Sequence, residues 1–134
     1  MKNSNVQWIL RVAVSGEFLG QESIWAGEAA ECVADQGEFW EYHGYLFQNQ
    51  SGENQGTFSK KNLESFAKTL KLDTSQFNSC LDSGKYSQKV LRDRSDGQQF
   101  GVNSTPTFFI GNEKSVGVLN YEDFKSKIES KLKD

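Results

Sequence analysis

The sequence is poor in proline and positive charge, and it lacks long apolar runs. Its single proline among 134 residues, Pro106, excludes a proline-rich linker, since typical usage of about 5% would give roughly seven. A formal net charge of −3 leaves no basic footprint for nucleic acid or acidic lipid. No apolar stretch approaches the roughly 20 residues that span a bilayer. With 36% hydrophobic and 13% aromatic residues, the chain is predicted to form one globular domain, residues 1–134, without nucleic-acid or membrane partners.

Histidine is also scarce, which restricts the chemistry available. A zinc site would have to bring together Cys32, Cys80, the single histidine His43 and a carboxylate, and no two of them have the short spacing typical of zinc ligands. A Ser-His-Asp triad would also depend on His43, and the chain contains no nucleophile elbow. Glycine-rich phosphate-binding motifs are absent as well. The sequence therefore predicts no metal and no cofactor.

The hydrophobic pattern predicts one strand, about five helices, two strands and a final helix. Val6–Val14 alternates at period two, as a largely buried strand does. Helical spacing then begins at Glu22, at Phe39, after a Ser59 N-cap, after an Asp73 or Thr74 N-cap, and at Tyr86. A hairpin follows, with strand Thr107–Ile110, a turn over Gly111–Lys114 and a return strand Ser115–Val118. An amphipathic helix from Tyr121 to Leu132 ends the chain.

Several short sequence words occur in this order and resemble the DsbA-like branch of the thioredoxin superfamily. They are Gly20-Gln21-Glu22-Ser23, Ala29-Ala30-Glu31-Cys32, Asp35-Gln36-Gly37-Glu38-Phe39-Trp40-Glu41-Tyr42-His43, Leu72-Asp73-Thr74, Phe77-Asn78-Ser79-Cys80-Leu81 and Gly101-Val102-Asn103-Ser104-Thr105-Pro106-Thr107-Phe108-Phe109-Ile110. The resemblance implies an α/β, incomplete thioredoxin-like fold (β – helical insertion – ββα) with an all-helical inserted subdomain. Residues 6–18 and 101–134 would form the sheet part, and residues 20–99 the helical insertion.

The resemblance gives Pro106 a role. In this superfamily the Thr-Pro step before the third core strand is cis, which exposes the backbone of the threonine beside the redox centre. We therefore expect Thr105 and Pro106 to form a substrate-binding groove in which a peptide pairs as an added strand. The residues alone allow a simpler interpretation, in which Pro106 is the first residue of an edge strand, where the N–H group that proline lacks is not needed for pairing.

The chain departs from the family at its catalytic motif. The family's Cys-x-x-Cys follows the first core strand, whereas Cys32 and Cys80 are far apart and match positions of the helical insertion. Val6–Val14 matches the second core strand, so we expect an N-terminally truncated member without the first βα unit. That loss would leave an open strand edge, which predicts a homo-oligomer or a partner that supplies a strand.

The two cysteines allow two interpretations. They are two small buried thiols, or they form a structural disulfide between helices of the insertion. Lys2 and the apolar run Val6–Val14 are a poor signal peptide because Arg11 interrupts the run. We therefore expect a cytoplasmic location, although the family usually works outside the cytoplasm, where such a bridge persists.

Three functions follow from these expectations. The first is a redox-inactive module that binds peptides or forms oligomers. The second is a thiol-disulfide oxidoreductase, completed by a partner chain that carries the missing βα unit or using Cys32 and Cys80 themselves. The third is a folded remnant without a selected activity.

Overall fold

The structure is a computed structural model, and it describes residues 20–132. The described elements are five helices, a two-stranded hairpin and a sixth helix. In chain order they are α1 (Gln21–Ala34), α2 (Phe39–Gln48), α3 (Lys60–Thr69), α4 (Thr74–Asp82), α5 (Ser87–Gln99), β1 (Thr107–Ile110), β2 (Glu113–Val116) and α6 (Tyr121–Leu132). The predicted strand Val6–Val14 lies outside the described residues. The chain divides into two compact units, with a boundary inside α5 between Asp96 and Gly97.

The helical unit has one core, which is built where the apolar faces of α1 to α4 meet. On α3, Leu63 and Ala67 are one helical turn apart and fully buried, as residues four apart share a helix face. The core consists of Ala29, Cys32, Val33, Tyr42, Leu46, Leu63, Ala67, Phe77, Cys80 and Leu81. The Tyr42 hydroxyl donates a hydrogen bond of 2.9 Å to the Leu63 carbonyl, so the one strongly polar group of this core is satisfied.

The ends of these helices follow local rules. Asp73 caps α4, where its carboxylate accepts the Gln76 N–H at 2.9 Å. Ser59 is the N-cap residue of α3, as predicted, although its side chain makes no capping hydrogen bond. Gly37 follows α1 with φ 79°, a left-handed conformation that glycine adopts without steric cost.

The loop between α2 and α3 is held by a buried carboxylate. Glu22 of α1 accepts hydrogen bonds from the N–H groups of Gly56 (2.6 Å) and Phe58 (3.0 Å). Glu22 is only 9% exposed, so these two bonds replace the hydrogen bonds to water that its carboxylate loses on burial. Glu22 therefore fixes the chain just before α3 begins.

The second unit contains the hairpin and α6. Thr107 of β1 pairs with Val116, and Ile110 pairs with Glu113, so the connection is the two residues Gly111 and Asn112. The return strand thus begins two residues earlier than predicted. The reason is Gly111, whose φ of 62° suits the tight turns that join strands through two residues. The Phe108 ring meets the Phe124 ring of α6 edge to face, with ring centroids 5.2 Å apart, so α6 packs against the hairpin through this pair.

Candidate functional site

The predicted groove residues lie at the start of the hairpin. The Thr105–Pro106 peptide bond is cis. Thr105 is exposed and Pro106 is partly buried. The Pro106 carbonyl accepts the Gly117 N–H at 2.8 Å, and the Thr107 hydroxyl donates to the Ser104 carbonyl at 2.7 Å. Pro106 is therefore held by the hairpin, while Thr105 presents its backbone outside it.

The hairpin register shows which backbone groups face away from β2. Gly117 bonds to Pro106, so these two form a hydrogen-bonded pair in the antiparallel ladder. Hydrogen-bonded and non-hydrogen-bonded pairs alternate, which places Thr107 and Phe109 in the non-bonded pairs. Their N–H and C=O groups point to the outer edge of β1. Within residues 20–132 this edge has no partner strand, because the described sheet contains two strands.

The two cysteines form a disulfide between α1 and α4. The Cys32–Cys80 bond has an S–S distance of 2.03 Å and joins positions separated by 48 residues. Cys32 is 1% exposed and Cys80 is 8% exposed. The Cys80 carbonyl accepts the Ser83 hydroxyl at 3.0 Å and the Lys85 N–H at 3.2 Å. The bridge is thus part of the helical core, and a substrate thiol has little access to either sulfur.

A surface cluster links the end of α1 to the start of α5. Asp35 accepts hydrogen bonds from the Lys85 ammonium (2.7 Å) and the Tyr86 hydroxyl (2.5 Å). The Lys85 hydrogen bond, followed by that of Tyr86, lowers the pKa of Asp35. The Asp35 hydrogen bond in turn raises the pKa of Lys85 and that of Tyr86. Each group is held in its ordinary charge state at neutral pH, so the cluster acts as a structural tie and provides no general base.

The described residues do not bring His43 together with either cysteine. No group of three or more His, Cys, Asp or Glu side chains within residues 20–132 is arranged to hold a metal ion. His43 stacks instead on Phe47, with ring centroids 4.7 Å apart, and contacts Phe39 at 5.8 Å. Within residues 20–132, no helix combines the length and the apolar character that a membrane span requires.

One surface of α2 was not predicted from the sequence. Trp40 is 64% exposed and Phe47 is 62% exposed, although the sequence indicates only an aromatic helix. A signal was present in the spacing: Tyr42 and Leu46 already fill the buried stripe, and Trp40 and Phe47 fall about 100–160° away from it at 100° per residue. A second aromatic stripe on a short helix indicates an exposed surface.

Comparison with known proteins identifies the family. The family described as thioredoxin matches residues 6–130. Disulfide bond formation protein D of Bacillus subtilis is 29% identical over 119 residues, which are 87% of this chain and 54% of that protein. The Na(+)/H(+) antiporters NhaA 1 of Salinispora arenicola and NhaA of Herminiimonas arsenicoxydans are 31% and 32% identical over 105 residues, 78% of this chain. The chain spans 15% and 16% of those antiporters.

A solved structure supports the same fold. The crystal structure of a thioredoxin-like oxidoreductase from Silicibacter pomeroyi DSS-3 superposes with a TM-score of 0.70 at 21% identity. The match covers 87% of this chain and 64% of the other. The predicted thioredoxin-like fold with a helical segment ahead of the ββα part is confirmed.

Proposed function

The chain belongs to the thioredoxin family, and from that membership we propose that it is a redox-inactive module that binds an extended peptide at Thr105 and Pro106. The observation that carries this proposal is the state of its thiols. The sequence contains no Cys-x-x-Cys, and both cysteines are joined in one buried disulfide. Exchange chemistry needs an accessible thiolate or an accessible disulfide sulfur. The proposed activity is therefore binding without electron transfer.

The backbone around Thr105 supports peptide binding. The backbone of Thr105 makes no backbone hydrogen bond to any described residue. The backbone N–H and C=O groups of Thr107 and Phe109 point away from β2. An extended peptide adds to such an edge through main-chain hydrogen bonds, which supply affinity without demanding a particular sequence. The bound segment would lie beside β1 as a further strand.

An NMR titration with a short Thr/Val-rich peptide tests this binding mode. We expect shifts of the Thr105, Thr107 and Phe109 amide signals, and no binding by the same peptide N-methylated at every residue, because that peptide has no N–H group to donate to the edge. Thr105→Ala should bind like the wild type, since the contact uses the backbone. Equal binding of the N-methylated peptide would refute the strand-addition mechanism.

We also propose that the same edge supports a homo-oligomer. An unpaired edge readily accepts a strand from another copy, and β1 has one partner strand within residues 20–132. Light scattering across micromolar concentrations should show a dimer or larger species. A strict monomer over that range would contradict this part of the proposal.

A second candidate is an oxidoreductase completed by a partner chain. It is favoured by the similarity to a protein named for disulfide bond formation. In this case a partner would supply the thiol pair, and the present chain would supply the peptide groove. Co-purification with a chain carrying Cys-x-x-Cys, and insulin reduction only by the complex, would select this candidate over the first.

The cytoplasmic location remains a prediction, and the disulfide provides its test. A reducing cytosol keeps thiols apart, whereas an oxidising compartment preserves a bridge. Acid quenching of the host cells, followed by alkylation of the unfolded protein in denaturant and mass spectrometry, should find Cys32 and Cys80 alkylated if the protein is cytoplasmic. Unmodified, bridged cysteines would indicate an oxidising compartment.

A further inference from the structure

Helix α2 carries a row of rings that are exposed or partly exposed, which we term the aromatic face: Phe39, Trp40, His43 and Phe47. The Trp40 ring lies 5.2 Å from that of Phe39 and 5.6 Å from that of His43, and His43 lies 4.7 Å from Phe47. The rings therefore support one another. Trp40 and Phe47 nevertheless remain more than half exposed. Exposed apolar surface of this kind marks interaction sites more often than isolated residues do.

A glycine lies next to the aromatic face. Gly44 follows Trp40 by four residues and Glu41 by three, so both side chains neighbour it on the helix surface. A Cβ at Gly44 would meet no atom within 4 Å. The space above the Gly44 backbone is therefore open, and we term this opening the notch. Its neighbours on the helix surface include Trp40 and Glu41.

The charged residues next to the notch along the chain are all acidic. Glu38 and Glu41 are exposed, and neither forms an ion pair with a described residue, whereas Glu31 and Asp35 pair with Lys89 and Lys85. Residues 12–59 contain no Lys or Arg. The carboxylates beside the aromatic face are therefore uncompensated by this stretch of chain.

We propose that the aromatic face with its notch binds a Lys- or Arg-bearing amphipathic segment of another protein. The alkyl part of the cationic side chain would lie over Gly44, and its charge would sit between the Glu41 carboxylate and the Trp40 ring, where ring and carboxylate both attract a cation. Apolar neighbours of that residue would pack on Phe47. The same face of a second copy is a poor occupant, because it would bring carboxylates together. This inference goes beyond the proposed function, since it concerns a surface of the helical unit.

The test uses a fluorescently labelled helical peptide of Lys, Leu and Ala, with a peptide of Glu, Leu and Ala as its counterpart. We expect the Lys peptide to bind, to shift the Trp40 indole N–H signal, and to bind more weakly as salt rises from about 0.15 M to about 1 M. Trp40→Ala should weaken binding about tenfold, the equivalent of about 1.4 kcal/mol. The Glu peptide should not bind.

Gly44→Leu separates binding from folding. A leucine side chain would fill the notch, while replacing glycine within a helix should maintain or raise thermal stability. We expect a folded variant whose affinity for the Lys peptide falls at least as much as that of Trp40→Ala. Leu91→Ala, a change at an exposed apolar residue of α5, is the matched control and should bind normally. Equal affinity of Gly44→Leu and wild type, or equal binding of both peptides, would overturn the proposal.

Discussion

Removing the Cys32–Cys80 disulfide should lower the free energy of unfolding of the helical unit strongly. The helices should still form in the folded protein. The bridge joins α1 to α4 inside the core, and both sulfurs are buried. The perturbation is the double variant Cys32→Ala/Cys80→Ala, together with reduction of the wild type. Both remove the covalent link, but only the variant also removes the sulfur atoms, so the difference between them isolates the packing of those atoms.

The magnitude follows from the separation of 48 residues between the two cysteines. In the chain-entropy treatment, releasing a loop of this length gives the unfolded chain about 4 kcal/mol of additional conformational free energy at 25 °C. For a domain of this size, about 3–4 °C of melting temperature corresponds to each kcal/mol, so we expect a fall of about 12–16 °C. The double variant should melt lower still, because it also leaves a small cavity.

Thermal unfolding followed by circular dichroism, with and without dithiothreitol, measures the effect. Reductant should lower the melting temperature of the wild type and leave that of the double variant unchanged, which is the internal control. A fall of less than about 3 °C on reduction would mean that the bridge restrains the unfolded chain little, and would refute the reasoning. Two free thiols titrated in the untreated protein would refute the bridge itself.

Three further substitutions test other parts of the structure. Tyr42→Phe removes the hydrogen bond to Leu63 and should lower the free energy of unfolding by about 1 kcal/mol in urea titrations; no change would mean that the bond contributes nothing. Glu22→Gln leaves one acceptor oxygen where two N–H groups bind and should lower the free energy of unfolding by about 1–2 kcal/mol. Amide hydrogen exchange in the loop before α3 should become faster. Asp35→Asn should reduce the acid sensitivity of stability: the pKa of Asp35 is lowered in the folded state, so its contribution is present above the unfolded value of 3.8 and is lost as pH falls through the folded one. An unaltered acid limb in Asp35→Asn would contradict that assignment. The raised pKa of Lys85 gives a contribution that is present below the unfolded value of 10.5 and is lost as pH rises through the folded one.

Helices were predictable from this sequence because each has a local signal. Asp73 is the N-cap residue directly before α4, and Gly37 follows α1 in a left-handed conformation. The hairpin boundary was less predictable. Gly111-Asn112-Glu113-Lys114 has the composition of a turn, but the cross-strand pair Ile110–Glu113 includes Glu113 in β2. Pairing between strands, rather than composition, decided that boundary.

The candidate sites depend on contacts between distant residues, which local patterns do not specify. Cys32 and Cys80 each lie on an apolar helical stripe, and the sequence allowed either buried thiols or a bridge. The packing of α1 on α4 brings their Cα atoms to 5.9 Å, a distance suited to a disulfide. Similarly, the exposure of Trp40 depends on which stripe of α2 faces the core, and Tyr42 and Leu46 occupy that position.

Insulin reduction tests most directly the claim that this thioredoxin-family chain binds without redox chemistry. The assay follows the turbidity of insulin B chain with dithiothreitol in the presence of the purified chain. We predict the same onset and rate as with dithiothreitol alone, since the chain contains no Cys-x-x-Cys and both cysteine side chains are buried whether or not they are bridged. An earlier onset that disappears in Cys32→Ala or Cys80→Ala would contradict the account and assign the activity to these two residues.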